Sequence, residues 1–120
     1  MLGLLIATAL ASGAPAAPDK PVLPTKSPVL TLKDHRFSPQ RIEVPAGQRV
    51  RVQLVNQDST GEEFDSDELH VEKDVGPHGK ATFLIGPLAP GEYHFTGELH
   101  AVTAQGVIVA VGPYSGQARE

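Results

Sequence analysis

The chain contains no cysteine, and its only methionine is Met1. Without cysteine the fold gains nothing from disulfides and no lipid can be attached through an N-terminal thiol. A type-1 copper centre needs a thiolate and two imidazoles, so that centre is excluded as well. Positive charge is in deficit: 10 Lys and Arg stand against 14 Asp and Glu, for a formal net charge of −4 over 120 residues. That leaves no electrostatic case for binding nucleic acid or an anionic membrane. Catalytic signatures are missing too. There is no H-E-x-x-H, no phosphate-binding glycine loop followed by a helix, and no nucleophile motif around Ser59, Ser66 or Ser115.

What is present begins with an apolar run over residues 2–10, followed by the small-residue pattern Ala14-Pro15-Ala16. The run is too short to span a bilayer, and with the A-x-A pattern it reads as a secretory signal peptide over residues 1–17. The expected compartment is the periplasm, with no membrane-embedded part. Pro18, Pro21, Pro24 and Pro28 then mark residues 18–28 as an extended linker. Residues 29–112 form the one domain, and 113–120 a tail.

Within that domain, 12 Gly and 11 Pro in the whole chain and no stretch of helical periodicity suit short strands joined by tight turns. Strands are expected at 29–32, 41–44, 49–55, 81–85, 92–96 and 106–111, with Phe37-Ser38-Pro39 as a turn. The stretch 62–75 is less regular, and its acids at 65–68 are compatible with one helical turn. Six or seven strands at this spacing predict an all-β Greek-key sandwich. Period-2 alternation puts Ile42, Val44, Val50, Val52, Leu54, Phe83, Ile85, Tyr93, Phe95 and Val109 in the core.

Four blocks, in order, carry a family resemblance: Phe37-x-Pro39-x-x-Ile42-x-Val44-x-x-Gly47, Val55-Asn56-x-Asp58, Pro90-Gly91-x-Tyr93-x-Phe95 and Gly106-x-Ile108-x-Ala110. Together they resemble the cupredoxins over roughly residues 29–111. A blue-copper member carries Tyr-x-Phe-x-Cys-x-x-His where this chain has Tyr93 to His100, so Gly97 stands in the cysteine's place and His100 is kept. The runs Glu62-Glu63-Phe64-Asp65-Ser66, Glu72-Lys73, Gly97-Glu98-Leu99-His100 and Thr103-Ala104-x-Gly106 resemble a thiol-free cupredoxin branch associated with periplasmic iron uptake. In that frame a first-loop histidine has become Glu near positions 62 and 63. The resemblance implies an iron or copper ion, type-2-like if copper. It also implies an inner-membrane iron permease and another periplasmic iron-binding protein as partners. The activity it implies is ferrous-iron oxidation or delivery to the permease. The alternative is a non-catalytic sandwich that docks to a transporter.

The candidate ligands are His100, Glu98, Glu63, Glu72 and His35. Glu98 and His100 are two apart, so in an extended strand both point the same way. Of the adjacent Glu62 and Glu63 at most one faces a given pocket. Glu63 is the expected one, since Phe64 belongs to the core. Glu72 is a candidate whose plain alternative is a surface pair with Lys73, and His70 shares its face as a substitute. His35 precedes the second block at a turn that could approach the loops. His78 and His94 read as surface residues. Carboxylates with imidazole suit Fe(II), Fe(III), Cu(II) or Mn(II) rather than Cu(I), which prefers sulfur.

Overall fold

The computed structural model describes residues 27–112. The expected signal peptide, most of the linker and the tail lie outside the described residues. Nine strands follow in order: β1 (Val29–Lys33), β2 (Arg36–Ser38), β3 (Arg41–Pro45), β4 (Val50–Asn56), β5 (Glu62–Ser66), β6 (Val71–Val75), β7 (Lys80–Ile85), β8 (Gly91–Gly97) and β9 (Gln105–Val111). One 3-10 turn, η1 (Glu98–His100), separates β8 from β9.

The strands form two sheets, in the orders β2-β1-β4-β7 and β3-β9-β8-β5-β6. β1 runs parallel to β4 and β3 parallel to β9, and the other pairings are antiparallel. β3 pairs with β9 and β1 with β4, so strands distant in sequence lie side by side between hairpin-paired neighbours, which is Greek-key connectivity in a β-sandwich. The expected fold class is the observed one. β9 lies between β3 and β8, as its long apolar run requires.

Alternation places the core. β4 reads inward at Val50, Val52, Leu54 and Asn56 and outward at Arg51. Ile42, Val44, Ile85 and Phe95 are buried in the core as expected, and Phe83 and Tyr93 pack partly buried against it, whereas Val109 is covered on the outer face opposite Glu43 and Glu92, and Ile108 and Ala110 hold the inward positions of β9. The centre is aromatic: Phe37, Phe64, Phe83 and Phe95 meet with ring centroids 4.5–6.2 Å apart. Gly106 makes room for it, since a Cβ there would strike the Phe95 ring.

Two local expectations are corrected. Of Phe37-Ser38-Pro39 only Pro39 lies in a bend, at 39–40 before β3, while Phe37 and Ser38 belong to β2. Phe37 pairs with Leu32 in a hairpin, and the turn lies at Asp34-His35, both in the left-handed region at φ 53° and 58°. Two residues of positive φ are what a tight hairpin demands, and Asp and His tolerate that region better than most. Nor do residues 65–68 start a helix. β5 continues through Ser66, and the chain then turns over residues 67–70, where the Ser66 hydroxyl accepts from Leu69 N (3.0 Å) and donates to His94 O (2.6 Å). Phe64 in the core and its pairing to Gly97 outweigh the capping preference of the acids.

Candidate metal centre

β5 alternates strictly: Glu62, Phe64 and Ser66 face inward, Glu63 and Asp65 outward. Since Phe64 is fully buried, Glu62, two residues earlier, must also enter the sandwich. This reverses the expectation for the Glu62-Glu63 pair: Glu62 is the residue beside His100. Its side chain has no exposed surface. Such a carboxylate is tolerated only if its lone pairs are used. Its Oε1 accepts from Glu63 N (3.0 Å) and Leu99 N (2.8 Å), and its Oε2 from His100 Nδ1 (2.8 Å).

The space for this carboxylate comes from Gly97. A Cβ at Gly97 would lie 2.7 Å from both Cδ and Oε2 of Glu62 and 2.8 Å from the Ala104 Cβ. The Glu62 carboxylate therefore fills the volume into which a side chain at position 97 would project.

His35 completes the cluster from the other sheet. Its ring stacks on that of His100, with centroids 3.6 Å apart and planes inclined by 13°. The Asp34-His35 turn is held in place by Asp58, whose Oδ1 accepts from Asp34 N (2.7 Å) and Oδ2 from His35 N (2.9 Å). The His35 N–H, opposed by partial burial, and then the Asp34 N–H and the two imidazoles, hold the Asp58 carboxyl below its ordinary value of 3.8. Asp58 is itself fixed by buried Asn56, whose Oδ1 accepts from Asp58 N (2.9 Å) while Nδ2 donates to Thr60 O (2.8 Å) and Gly76 O (3.0 Å). His35 Nδ1 is buried, 3.5 Å from Asp58 Oδ2, and makes no hydrogen bond. Asp58 and Glu62 are the two site residues that the sequence reading left out of its ligand set. The signal for Glu62 was the Phe64 alternation. Nothing in the sequence singled out Asp58 beyond its place in the Val55-Asn56-x-Asp58 block.

The other candidates lie elsewhere. The chain leaves β8 into η1, where successive residues are about 120° apart, so Glu98 and His100 do not share a side as they would in a strand. Glu98 turns instead towards Glu63. Burial first, then the Glu98 carboxylate, Asp74 and Glu72, push the Glu63 carboxyl above its ordinary value of 4.5. Glu63 pairs across to Asp74, and Asp65 to Glu72, so these four acids share the outer face of the sheet, opposite Glu62. His70 is exposed in the turn at the other end of β5. His94 is exposed beside Glu68 (3.3 Å), and His78 is exposed in a turn. The structure thus gathers His100, His35, Glu62 and Asp58 in one cluster and Glu63, Glu98, Glu72 and Asp74 in another. Among the described residues, no three His, Asp or Glu side chains converge as a ready-made ion cage.

The description "Cupredoxin-like domain" matches residues 1–110. The chain belongs to the cupredoxin-like domain family. Protein RP394 of Rickettsia prowazekii (strain Madrid E), described as uncharacterized, is 45% identical over 80 residues, 67% of this chain and 64% of that protein. The chain thus matches less than two thirds of that relative's length. Among solved structures, the metal-binding domain of the Cu(I)-exporting P-type ATPase of Streptococcus pneumoniae aligns with TM-score 0.63 and 13% identity, covering 70% of this chain and 83% of that one. Amicyanin from Paracoccus versutus aligns with TM-score 0.57 and 11% identity over 74% and 85% of the two chains. Reduced auracyanin from Roseiflexus castenholzii aligns at 0.57 and 15% over 72% and 97%. At such identities these structures share the fold with this cupredoxin-like chain.

The donor chemistry fits a small metal ion of the hard to intermediate kind. Two imidazoles and two carboxylates lie side by side, and none is soft. The Glu62–His100 contact of 2.8 Å is a hydrogen bond, so an ion engaging that nitrogen would have to displace its proton.

Proposed function

We propose that this chain is a periplasmic metal-binding protein of iron uptake, taking one copper or iron ion at a His/carboxylate centre around His100 for delivery to an inner-membrane permease. The observation that carries the proposal is the buried Glu62 carboxylate seated against Gly97 and bonded to His100 Nδ1. A fold that keeps one imidazole and puts an anion where a position-97 side chain would go retains a donor set, changed from sulfur to oxygen. The copper-bound state of the Streptococcus pneumoniae domain supports copper as one cargo, and the oxygen donors here favour Cu(II) or iron over Cu(I). The iron-uptake role and the permease are supported by the sequence resemblance. The outer acids Glu63, Glu98 and Glu72 contribute a negative field that attracts cations towards His100. When bound, the ion supplies positive charge and redox capacity. His100 would hold it, with the Glu62 carboxylate bonded to its ring and Phe64 closing the buried side behind Glu62.

The test is direct. Protein stripped by a chelator and reloaded with Cu(II), Fe(II) or Fe(III) is expected to hold one ion per chain by elemental analysis. His100→Ala is expected to weaken binding at least about tenfold, or roughly 1.4 kcal/mol, with an unchanged circular dichroism spectrum. One observation favours a second reading: Glu62 is already satisfied without an ion. Wild-type protein that takes up none of these metals would leave the non-catalytic module that docks to a transporter as the function.

A further inference from the structure

A net charge of −4 argues against an anionic partner only where the charge is spread evenly, and the two sheets do not share it evenly. In the four-stranded sheet the core takes alternate residues of every strand, and register decides what points outward. Lys33 and Arg36 stand directly opposite one another across β1 and β2. Arg51 stands opposite Leu84, and Lys80 opposite Val55, across β4 and β7. Every charged side chain that points outward from these four strands is basic, and the others are Val, Thr, Ser, Gln and Leu. All four basic residues are exposed. Like charges directly opposite on a sheet repel and lower its stability, so the Lys33–Arg36 pair is one that folding alone does not call for. Among the described residues none of the four meets a carboxylate in an ion pair, whereas Arg41 on the other sheet meets Glu92 at 3.6 Å.

We infer that this face docks on an anionic phospholipid surface, flat against the headgroups, as a peripheral contact. Charge complementarity and shape carry the assignment. A sheet face meets phosphate headgroups at several points at once, and each Lys or Arg close to an anionic bilayer raises affinity roughly fivefold. Half-exposed Val29 (47%) and Leu84 (48%) add apolar contact on the same face. No outward Trp, Tyr or Phe stands there to anchor a protein–protein contact, which favours a diffuse anionic surface over a protein partner. Distance decides whether the acids cancel the attraction. The sheets of a sandwich stack about 10 Å apart, and side chains on both sides bring the two outer charge layers to roughly 20 Å. The screening length at physiological ionic strength is about 8 Å. A bilayer at the basic face therefore meets the four cations and little of the acids on the far sheet, such as Glu43 and Asp65. Lys33 and Arg36 also flank the Asp34-His35 turn, so docking sets the end of the sandwich that holds His35 and His100 beside the bilayer. That placement suits delivery to an inner-membrane permease. The contact itself needs no ion, so it stands or falls apart from metal binding.

The experiment is cosedimentation of the full chain, stripped of metal, with vesicles of equal parts phosphatidylcholine and phosphatidylglycerol, against vesicles of phosphatidylcholine alone. At about 0.15 M salt the protein is expected to partition to the anionic vesicles in preference, and to lose that preference at about 1 M, where the screening length falls to roughly 3 Å. Arg51→Gln with Lys80→Gln, both outside the metal cluster, is expected to lower partitioning about tenfold or more with an unchanged circular dichroism spectrum. Glu43→Gln with Asp65→Asn alters the net charge by as many units on the far sheet, and is expected to change partitioning by less than about twofold. No preference of the wild type for the anionic vesicles would overturn the inference. Equal partitioning of the wild type and the Arg51→Gln, Lys80→Gln protein would assign the binding to another part of the chain, such as the apolar run at 2–10, and overturn it as well. Salt-sensitive self-association without vesicles, abolished by the same two substitutions, would give the face to the acidic sheet of a second copy instead.

Discussion

Gly97 and Glu62 are coupled through space. Gly97 has φ −90° and ψ 109°, an extended backbone open to any residue, so it is room rather than conformation that reserves this position. Gly97→Ala would place a methyl group 2.7 Å from the Glu62 carboxylate and 2.8 Å from the Ala104 Cβ, both of them buried. The carboxylate would have to leave His100, or the β8 end would have to shift. The expected cost is about 1–3 kcal/mol, as for other overpacked sites, read as a lower urea midpoint with an unchanged slope. Glu63, next in the chain, makes the opposite case. Its carboxyl is held above 4.5, by burial and by the neighbouring Glu98, Asp74 and Glu72, so folding favours its protonated form. Its contribution is therefore most favourable at low pH and is lost as pH rises through the raised value. Glu63→Gln is expected to raise the melting temperature at pH 7, and this advantage should disappear below the ordinary value of 4.5, where the native residue is protonated in both states. A melting temperature at pH 7 equal to or below that of the wild type would show that Glu63 is not repelled by its neighbours.

At the scale of the elements, the β1–β2 hairpin exposes what the site requires. His35 occupies a left-handed position at φ 58°, where glycine is at ease and other residues carry strain. His35→Gly relieves that strain, at the expense of a more flexible unfolded chain and a lost ring stack. These effects oppose one another, so stability is expected to change by less than about 1 kcal/mol, measured by chemical denaturation, while Cu(II) affinity falls at least tenfold. A large loss of stability would make His35 a structural residue first. The same element shows how far the sequence could be read. Strands β3, β4, β7 and β8 were legible from their alternation and β9 from its continuous apolar run, each bounded by Gly, Pro or Asn turns. β2 was not, because three residues carry too little periodicity and the bend at Pro39 follows it directly. In β5 the Phe64 alternation was visible, yet it places a carboxylate in the core, against the usual preference of Glu for the surface. Glu62 was missed in favour of Glu63 because Phe64 was given to the core and the site was expected on the opposite face, whereas the site carboxylate enters the core beside Phe64. The stacking of His35 on His100 spans the two sheets and has no local signature, so only the folded topology brings the rings together.

Across the whole molecule the two sheets carry different outward charge. The outer face of the four-stranded sheet bears Lys33, Arg36, Arg51 and Lys80, and that of the five-stranded sheet bears Glu43, Glu63, Asp65, Glu72, Asp74 and Glu92 with Arg41. A chain of net charge −4 so arranged presents its acids on the sheet that leads into His100, which suits a cationic cargo. The cupredoxin-like sandwich is built without sulfur at any point of the chain except Met1. This separates the fold from the optical signature of its blue-copper members. Intense visible absorption of type-1 copper comes from a cysteine thiolate, and here the corresponding space at Gly97 is filled by the Glu62 carboxylate. Nitrogen and oxygen donors give Cu(II) only weak visible bands. The protein loaded with one equivalent of Cu(II) is therefore expected to be pale, with the electron paramagnetic resonance spectrum of a type-2 centre and nitrogen superhyperfine structure from imidazole. His100→Ala should diminish that structure, because it removes one of the two rings in the cluster. An intense blue band in the pure copper-loaded protein would contradict the donor set, since no residue of this chain other than Met1 can supply sulfur.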